Sequence, residues 1–145
     1  MAGCATQPGS SGVELCAKLT NFIAEEVRAG GGEVSVGRQG EWLVNHSKSC
    51  RKKDGDTAAA TFCDYLMDHT STEFMEATVN HAMACLQGQR LLGYVGNTGI
   101  SQWDGRALFY APRVSVTNTQ VELSWHLTAF GEWDDHVTFS AKPAR

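Results

Sequence analysis

The 145-residue chain contains no apolar run approaching the roughly 18 residues that a membrane-spanning helix needs. It also lacks a sustained basic surface. Lys48 and the run Arg51 to Lys53 form a basic cluster, but acidic residues follow immediately, beginning with Asp54 and Asp56. Because binding to nucleic acid depends on many phosphate contacts from a continuous basic surface, the sequence predicts no nucleic-acid partner.

Motifs typical of enzymes and cofactor sites are also missing. There is no G-x-S-x-G nucleophile elbow and no closely spaced cysteine pair of the kind that binds structural zinc. The segment from Glu132 to His136 concentrates carboxylates and an imidazole, but no second group of ligands is fixed by spacing, so we interpret it as an acidic hairpin loop. The sequence therefore predicts no catalytic residues, no metal site and no cofactor.

The chain contains five cysteines, and four of them fit a disulfide framework. These four are widely spaced at Cys16, Cys50, Cys63 and Cys85. Four cysteines can pair in three ways, and the sequence alone does not choose among them. Two disulfides would place the folded protein in an oxidising compartment and leave Cys4 as the odd cysteine.

The N-terminal residues Ala2-Gly3-Cys4 resemble the lipobox of bacterial lipoproteins, in which small residues precede a cysteine that is lipidated. The resemblance implies that Cys4 carries a lipid anchor and that the protein is periplasmic and touches a membrane only through that anchor. Met1 stands where a lipobox has a leucine-like residue, and we interpret it as an initiator methionine that replaces a removed signal peptide. The alternative is an ordinary cytosolic N-terminus.

Composition and periodicity divide the chain into a tether and one domain. Residues 1–12 are rich in Gly, Ser and Pro, as in flexible linkers, and residues 13–145 have the length of a single domain. A first helix is predicted from Val13 to Arg28, ending at the glycines 30–32. Asp56 is predicted to cap a second helix, and the capping box Thr70-x-x-Glu73 a third.

After Gly88 the hydrophobic period changes from 3.6 to 2, which predicts strands. The predicted strands are Arg90–Val95, Arg106–Ala111, Val114–Asn118, Val121–Phe130 and His136–Ala141. Asp104-Gly105 is predicted as a turn, Glu33–Val36 as a short strand, and Gly40–Cys50 is ambiguous. We therefore expect an α+β fold in which N-terminal helices pack on one face of a C-terminal four- to five-stranded antiparallel meander sheet, stapled by two disulfides.

Aromatic residues next to acidic ones suggest a partner-binding surface. The tripeptide Gly-Glu-Trp occurs twice, ending at Trp42 and Trp133, and Trp103 precedes the predicted turn. The predicted partner-binding residues are Trp42, Trp103, Asp104, Glu132, Trp133, Asp134 and Asp135. The rings would serve as anchors and the carboxylates would steer a basic protein partner, although each of these tryptophans can equally cap the core. Trp125, in a cleanly alternating strand, is predicted to be core.

Taken together, these features predict an exported lipoprotein that binds another protein. The expected role is that of an immunity protein or inhibitor directed against a secreted toxin or a cell-wall hydrolase. Two alternatives remain open at this point: a pilotin-like or assembly lipoprotein of an envelope complex, and a small periplasmic enzyme.

The disulfide prediction can be tested by counting thiols. In the unlipidated protein, unfolded without a reducing agent, we expect one thiol to react, that of Cys4, because the other cysteines are oxidised. Alkylation followed by mass spectrometry of intact protein and peptides gives the count and the position. Five reactive thiols would contradict the disulfide framework and favour a cytosolic protein.

Overall fold

A computed structural model describes residues 10–39, 47–71, 75–88, 102–110, 118–128 and 135–145. Within these ranges the chain forms three helices and five strands. In chain order they are α1 (Ser10–Ala29), β1 (Gly32–Gln39), β2 (Ser47–Lys52), α2 (Thr57–His69), α3 (Met75–Gln87), β3 (Gln102–Tyr110), β4 (Thr119–Thr128) and β5 (His136–Pro143). No helix in these ranges has both the length and the apolar character needed to cross a membrane.

The described strands form one antiparallel sheet in the order β2-β1-β5-β4-β3. The predicted α+β class, with helices on one sheet face, is confirmed. Strands β3, β4 and β5 form the expected C-terminal meander, but the sheet also includes β1 and β2 from the N-terminal half of the chain. The predicted strand 90–95 and residues 114–117 of the predicted strand Val114–Asn118 lie outside the described residues, and Asn118 precedes β4 without belonging to a strand.

The core lies between the helices and the face of the sheet that they cover. On β4 every second side chain is buried, from Val121 to Leu127, as the alternating sequence predicts. Trp125 belongs to this set, which confirms that it is a core residue. Aromatic rings connect the two layers: Phe62 of α2 lies 4.9 Å from Phe22 of α1 and 5.1 Å from Phe139 of β5, measured between ring centroids.

Two disulfides bind the helical layer together and to the sheet. Cys16 of α1 pairs with Cys85 of α3, and Cys50 of β2 pairs with Cys63 of α2. The Cα atoms of the pairs are 5.3 and 5.7 Å apart, distances that a disulfide spans without backbone distortion. Of the three pairings that the sequence left open, the protein therefore has the one that joins α1 to α3 and β2 to α2.

Gly105 corrects the predicted turn at Asp104-Gly105. Both residues lie inside β3, and the indole of Trp125 from the neighbouring strand lies over Gly105. A Cβ atom at this position would stand 1.9 Å from Trp125 Cζ2, so only glycine leaves room for the ring. The glycine that reads as a turn signal instead makes space for a large core side chain.

Local capping agrees with the sequence at one helix end and not at another. Asp56 caps α2 as predicted, since its side chain accepts a hydrogen bond from the Ala59 N–H at 2.9 Å. Thr70, predicted to begin the third helix, instead ends α2, because its N–H and its hydroxyl both donate to the Leu66 carbonyl. Helix α1 begins at Ser10, so residues 10–12 of the expected tether are helical, and residues 1–9 lie outside the described ranges.

A pair of carboxyl groups, buried Glu26 and partly exposed Asp56, joins α1 to the start of α2. The Glu26 side chain is 2 % exposed and is so close to Gly32 that a Cβ atom there would collide with it. Burial, a hydrogen bond to the Asp56 carboxylate and the negative charges of Asp56 and Glu25 together raise the pKa of Glu26 to about 7. Below this pH the Glu26 carboxyl therefore holds a proton that it donates to Asp56.

We expect Glu26→Gln to change the pH dependence of stability. Unfolded chains release this proton near pH 4.5 and the folded protein near pH 7, so the native state loses stability as pH rises between these values. The amide stays neutral and still donates, so the variant should gain up to about 3 kcal/mol relative to the native protein across that window. Urea unfolding from pH 4 to 8 measures the difference. Glu25→Gln, at an exposed neighbouring carboxylate, is the control, and a pH-independent difference for Glu26→Gln would contradict the assignment.

Candidate functional site: the open face of the sheet

One face of the sheet is not covered by any of the described helices. We call it the open face. Its side chains alternate with the core residues and are mostly polar and partly exposed. On β4 they are Glu122, Ser124, His126 and Thr128, and on β5 they are His136, Thr138, Ser140 and Lys142. A flat polar face of this kind suits contact with another molecule.

A row of ionisable side chains crosses the open face at one register position. Asp104 of β3, His126 of β4 and His136 of β5 lie opposite one another in neighbouring strands. His126 Nδ1 pairs with Asp104 Oδ1, and the two imidazole rings are 5.8 Å apart between centroids. The side chain of Asp104 is 51 % exposed and that of His126 is 24 % exposed, so the pair is accessible from solvent.

The row ends at Gly37 of β1, which allows β5 to approach closely. A Cβ atom at this position would lie 2.8 Å from the Cβ of His136 and 2.6 Å from the carbonyl oxygen of Asp135. Within the described residues no group of three or more His, Cys, Asp or Glu side chains is arranged to hold a metal ion. The side chains of the row can form hydrogen bonds with a bound molecule. The His126 imidazole, which pairs with the Asp104 carboxylate, can also accept a proton.

Asp135 lies next to this row but is buried. Its side chain accepts hydrogen bonds from the Thr128 N–H at 2.9 Å and the Thr128 hydroxyl at 2.8 Å, and the residue is 3 % exposed. Burial raises the pKa of Asp135 above its ordinary value, although those hydrogen bonds and the nearby charges of His126 and Arg38 act in the opposite direction. Asp135 therefore holds together the end of β4 and the start of β5.

The strand ends that flank most of the predicted partner-binding residues lie at one end of the sheet. We call this the loop end; β1 and β4 end there, and β2, β3 and β5 begin there. In the chain, residues 40–46 stand between β1 and β2, and residues 129–134 precede Asp135 and β5. Trp42, Glu132, Trp133 and Asp134 lie outside the described residues. The residues on both sides of these connections nevertheless lie close together.

Of the other predicted partner-binding residues, Asp104 is exposed on the open face and Asp135 is buried beneath the loop end. Trp103, expected at a loop tip, lies instead within β3, opposite Leu127. The fold thus gathers sequence-distant segments at one end, which the chain order alone does not reveal.

A basic groove at the other end of the open face was not expected from the sequence. Its volume is about 700 Å³, and it lies where the glycines 30–32 lead from α1 into β1. The positively charged residues that line it are Arg51, Lys52, Lys53 and Lys142. The sequence showed the cluster at 51–53 but gave no sign that Lys142 of β5 faces it across β1.

Comparisons of the chain with protein-family models, with curated proteins and with solved structures give no match. The open face and its two ends are therefore the basis on which a function is inferred.

Removal of the Asp135 side chain should lower the free energy of unfolding more than removal of the Asp104 side chain. Asp135→Ala leaves the buried N–H and hydroxyl of Thr128 without their acceptor, so we expect a loss of roughly 2–4 kcal/mol in the free energy of unfolding. Asp104→Ala removes a half-exposed carboxylate and should cost about 1 kcal/mol or less. Denaturant unfolding of both variants compares the two. Equal losses would show that Asp135 does not support the loop end.

Proposed function

We propose that this protein acts outside the cytoplasm as a protein-binding inhibitor, anchored through Cys4, that blocks a cell-wall-degrading toxin or hydrolase. The observation that carries the proposal is the convergence, at the loop end, of the start of β3 and the strand ends that flank residues 40–46 and 129–134 in the chain. Residues 40–46, residues 129–134 and the start of β3 contain every predicted partner-binding residue except Asp135, which begins the described residues before β5.

The compartment of the proposed function is supported by the two disulfides. Disulfides persist in oxidising surroundings, and those of this protein connect α1 to α3 and α2 to β2. Among the described residues, the helices cover only one face of the sheet and leave the side chains of the open face partly exposed. A stapled scaffold of this kind is suited to a surface that binds without rearranging.

The described residues that flank the connection 129–134 are fixed to each other at the loop end. The connection 129–134 starts and ends at residues that Asp135 and Thr128 fix to each other through two hydrogen bonds. Short segments with fixed ends lose less conformational entropy on binding. Tryptophans are frequent binding hot spots, and carboxylates next to them would increase the association rate of a basic enzyme. Inhibition would be steric, by occupation of the partner's catalytic cleft.

The proposal can be tested by mixing the purified protein with a panel of cell-wall hydrolases that includes a lysozyme. We expect one hydrolase to co-elute with it in a one-to-one complex and to lose activity. The double substitution Trp103→Ala and Trp133→Ala should weaken this complex by roughly tenfold or more, because hot-spot aromatics dominate interface energies.

Tyr110→Ala is the matched control for that experiment. Tyr110 is an exposed aromatic residue, 67 % accessible, at the far end of β3 from Trp103. Its removal should change the affinity by less than about twofold. A complex that survives the double substitution would refute the loop end as the surface, and a panel in which no hydrolase loses activity would refute the inhibitor function.

A further inference from the structure

We infer that the basic groove at the glycine-rich end of the open face is a second binding site, and that its ligand is an acidic peptide segment. Most of the groove lies at the opposite end of the sheet from the loop end, and it extends along the open face as far as His136 at the start of β5. The site does not require the hydrolase partner proposed above.

The charge of the groove is opposite to that of the protein as a whole. The chain has a net charge of −4, yet four of its twelve Lys and Arg residues line this groove, with Glu33 as the one carboxylate among the lining residues. None of the four makes an ion pair with another described residue, whereas Arg28 and Arg106 do. Arg51 of β2 and Lys142 of β5 occupy open-face positions, whereas Lys52 lines the groove from a helix-facing position of β2. Cations gathered around one groove repel one another, and an anionic ligand would relieve that repulsion.

The placement of the cations sets the size of the ligand. Arg51 lies on β2 and Lys142 on β5, and β1 separates these two strands. Two strand spacings amount to about 10 Å. A ligand with at least two anionic groups separated along an extended chain can therefore contact both walls at once. Acidic side chains a few residues apart on an extended peptide meet this requirement.

The floor of the groove favours a polypeptide over other polyanions. It consists of hydroxyl side chains, where Thr138 donates to Ser35 at 2.9 Å and Ser140 lies beside them. Hydroxyls both donate and accept, and so match the N–H and C=O groups of a peptide. The described lining contains no Phe, Tyr or Trp on which nucleobases or sugar rings would stack. Peptide is thus the polyanion that this groove fits best.

The test uses a fluorescently labelled octaglutamate as the probe and octaglutamine as the uncharged control, with binding followed by anisotropy. We expect octaglutamate to bind, octaglutamine not to bind, and the affinity to fall as salt is added. The double substitution Arg51→Gln and Lys142→Gln should weaken octaglutamate binding by roughly tenfold or more, since it removes a cation from each wall.

Lys18→Gln with Arg28→Gln is the matched control, because it removes the same charge from α1 at two residues that do not line the groove. It should weaken binding by less than about threefold, through net charge alone. In amide NMR spectra, octaglutamate should shift the signals of Ser35, Thr138 and Ser140 and leave that of Tyr110 in place. This measurement locates the site in the unsubstituted protein.

Three outcomes would overturn the inference. Equal weakening by the two double variants would show that only net charge matters. Shifts confined to residues outside the groove would place the site elsewhere. Binding of dextran sulfate without binding of octaglutamate would identify a site for acidic glycans. None of these results bears on hydrolase inhibition at the loop end, which is measured with different variants.

Discussion

Burial of a single face of the sheet is the constraint on which the other features depend. Helix α2 packs over β1 and β2, α1 over β5, and α3 over β4 and β5, so apolar side chains concentrate at alternate strand positions. The intervening positions then carry polar side chains facing away from the core. Both disulfides lie on the buried side, and both candidate binding regions lie on the open face or at its end. One-sided burial thus separates the part of the molecule that provides stability from the part available for recognition.

Much of this arrangement was predictable where the sequence is strongly periodic. The alternation in β4 and the apolar stripe of α1 predicted both the elements and the faces that they bury. Strand β2 was not predictable in the same way. Its helix-facing positions are Lys48, Cys50 and Lys52, so no apolar alternation marks it. The Lys48 ammonium instead donates to carbonyl oxygens at the end of α2, including those of Leu66 and Met67 at 2.7 Å. From the sequence alone, a lysine that caps a helix from a neighbouring strand is predicted to be a solvent-exposed charge.

The candidate sites were predictable only in part, because they depend on register between distant strands. Acidic and aromatic residues drew attention to the loop end, but nothing local distinguishes exposed Asp104 from buried Asp135. That difference comes from the Thr128 hydrogen bonds, which form only once β4 and β5 are paired. The basic groove is a stronger case. Arg51 and Lys142 face the same space only because β5 inserts beside β1, and this strand order is not encoded in any short segment.

The positions of the cysteines in the chain have a consequence for the order of assembly. Both disulfides close within residues 16–85, and the Cys50–Cys63 loop is nested inside the Cys16–Cys85 loop. A chain that emerges from a ribosome or a translocation pore presents its N-terminus first. Every cysteine partner is therefore available before β3, β4 and β5 have emerged. The helices, β1 and β2 can therefore be joined covalently before the rest of the chain has folded. The C-terminal meander then completes the sheet when β5 pairs with the free edge of β1.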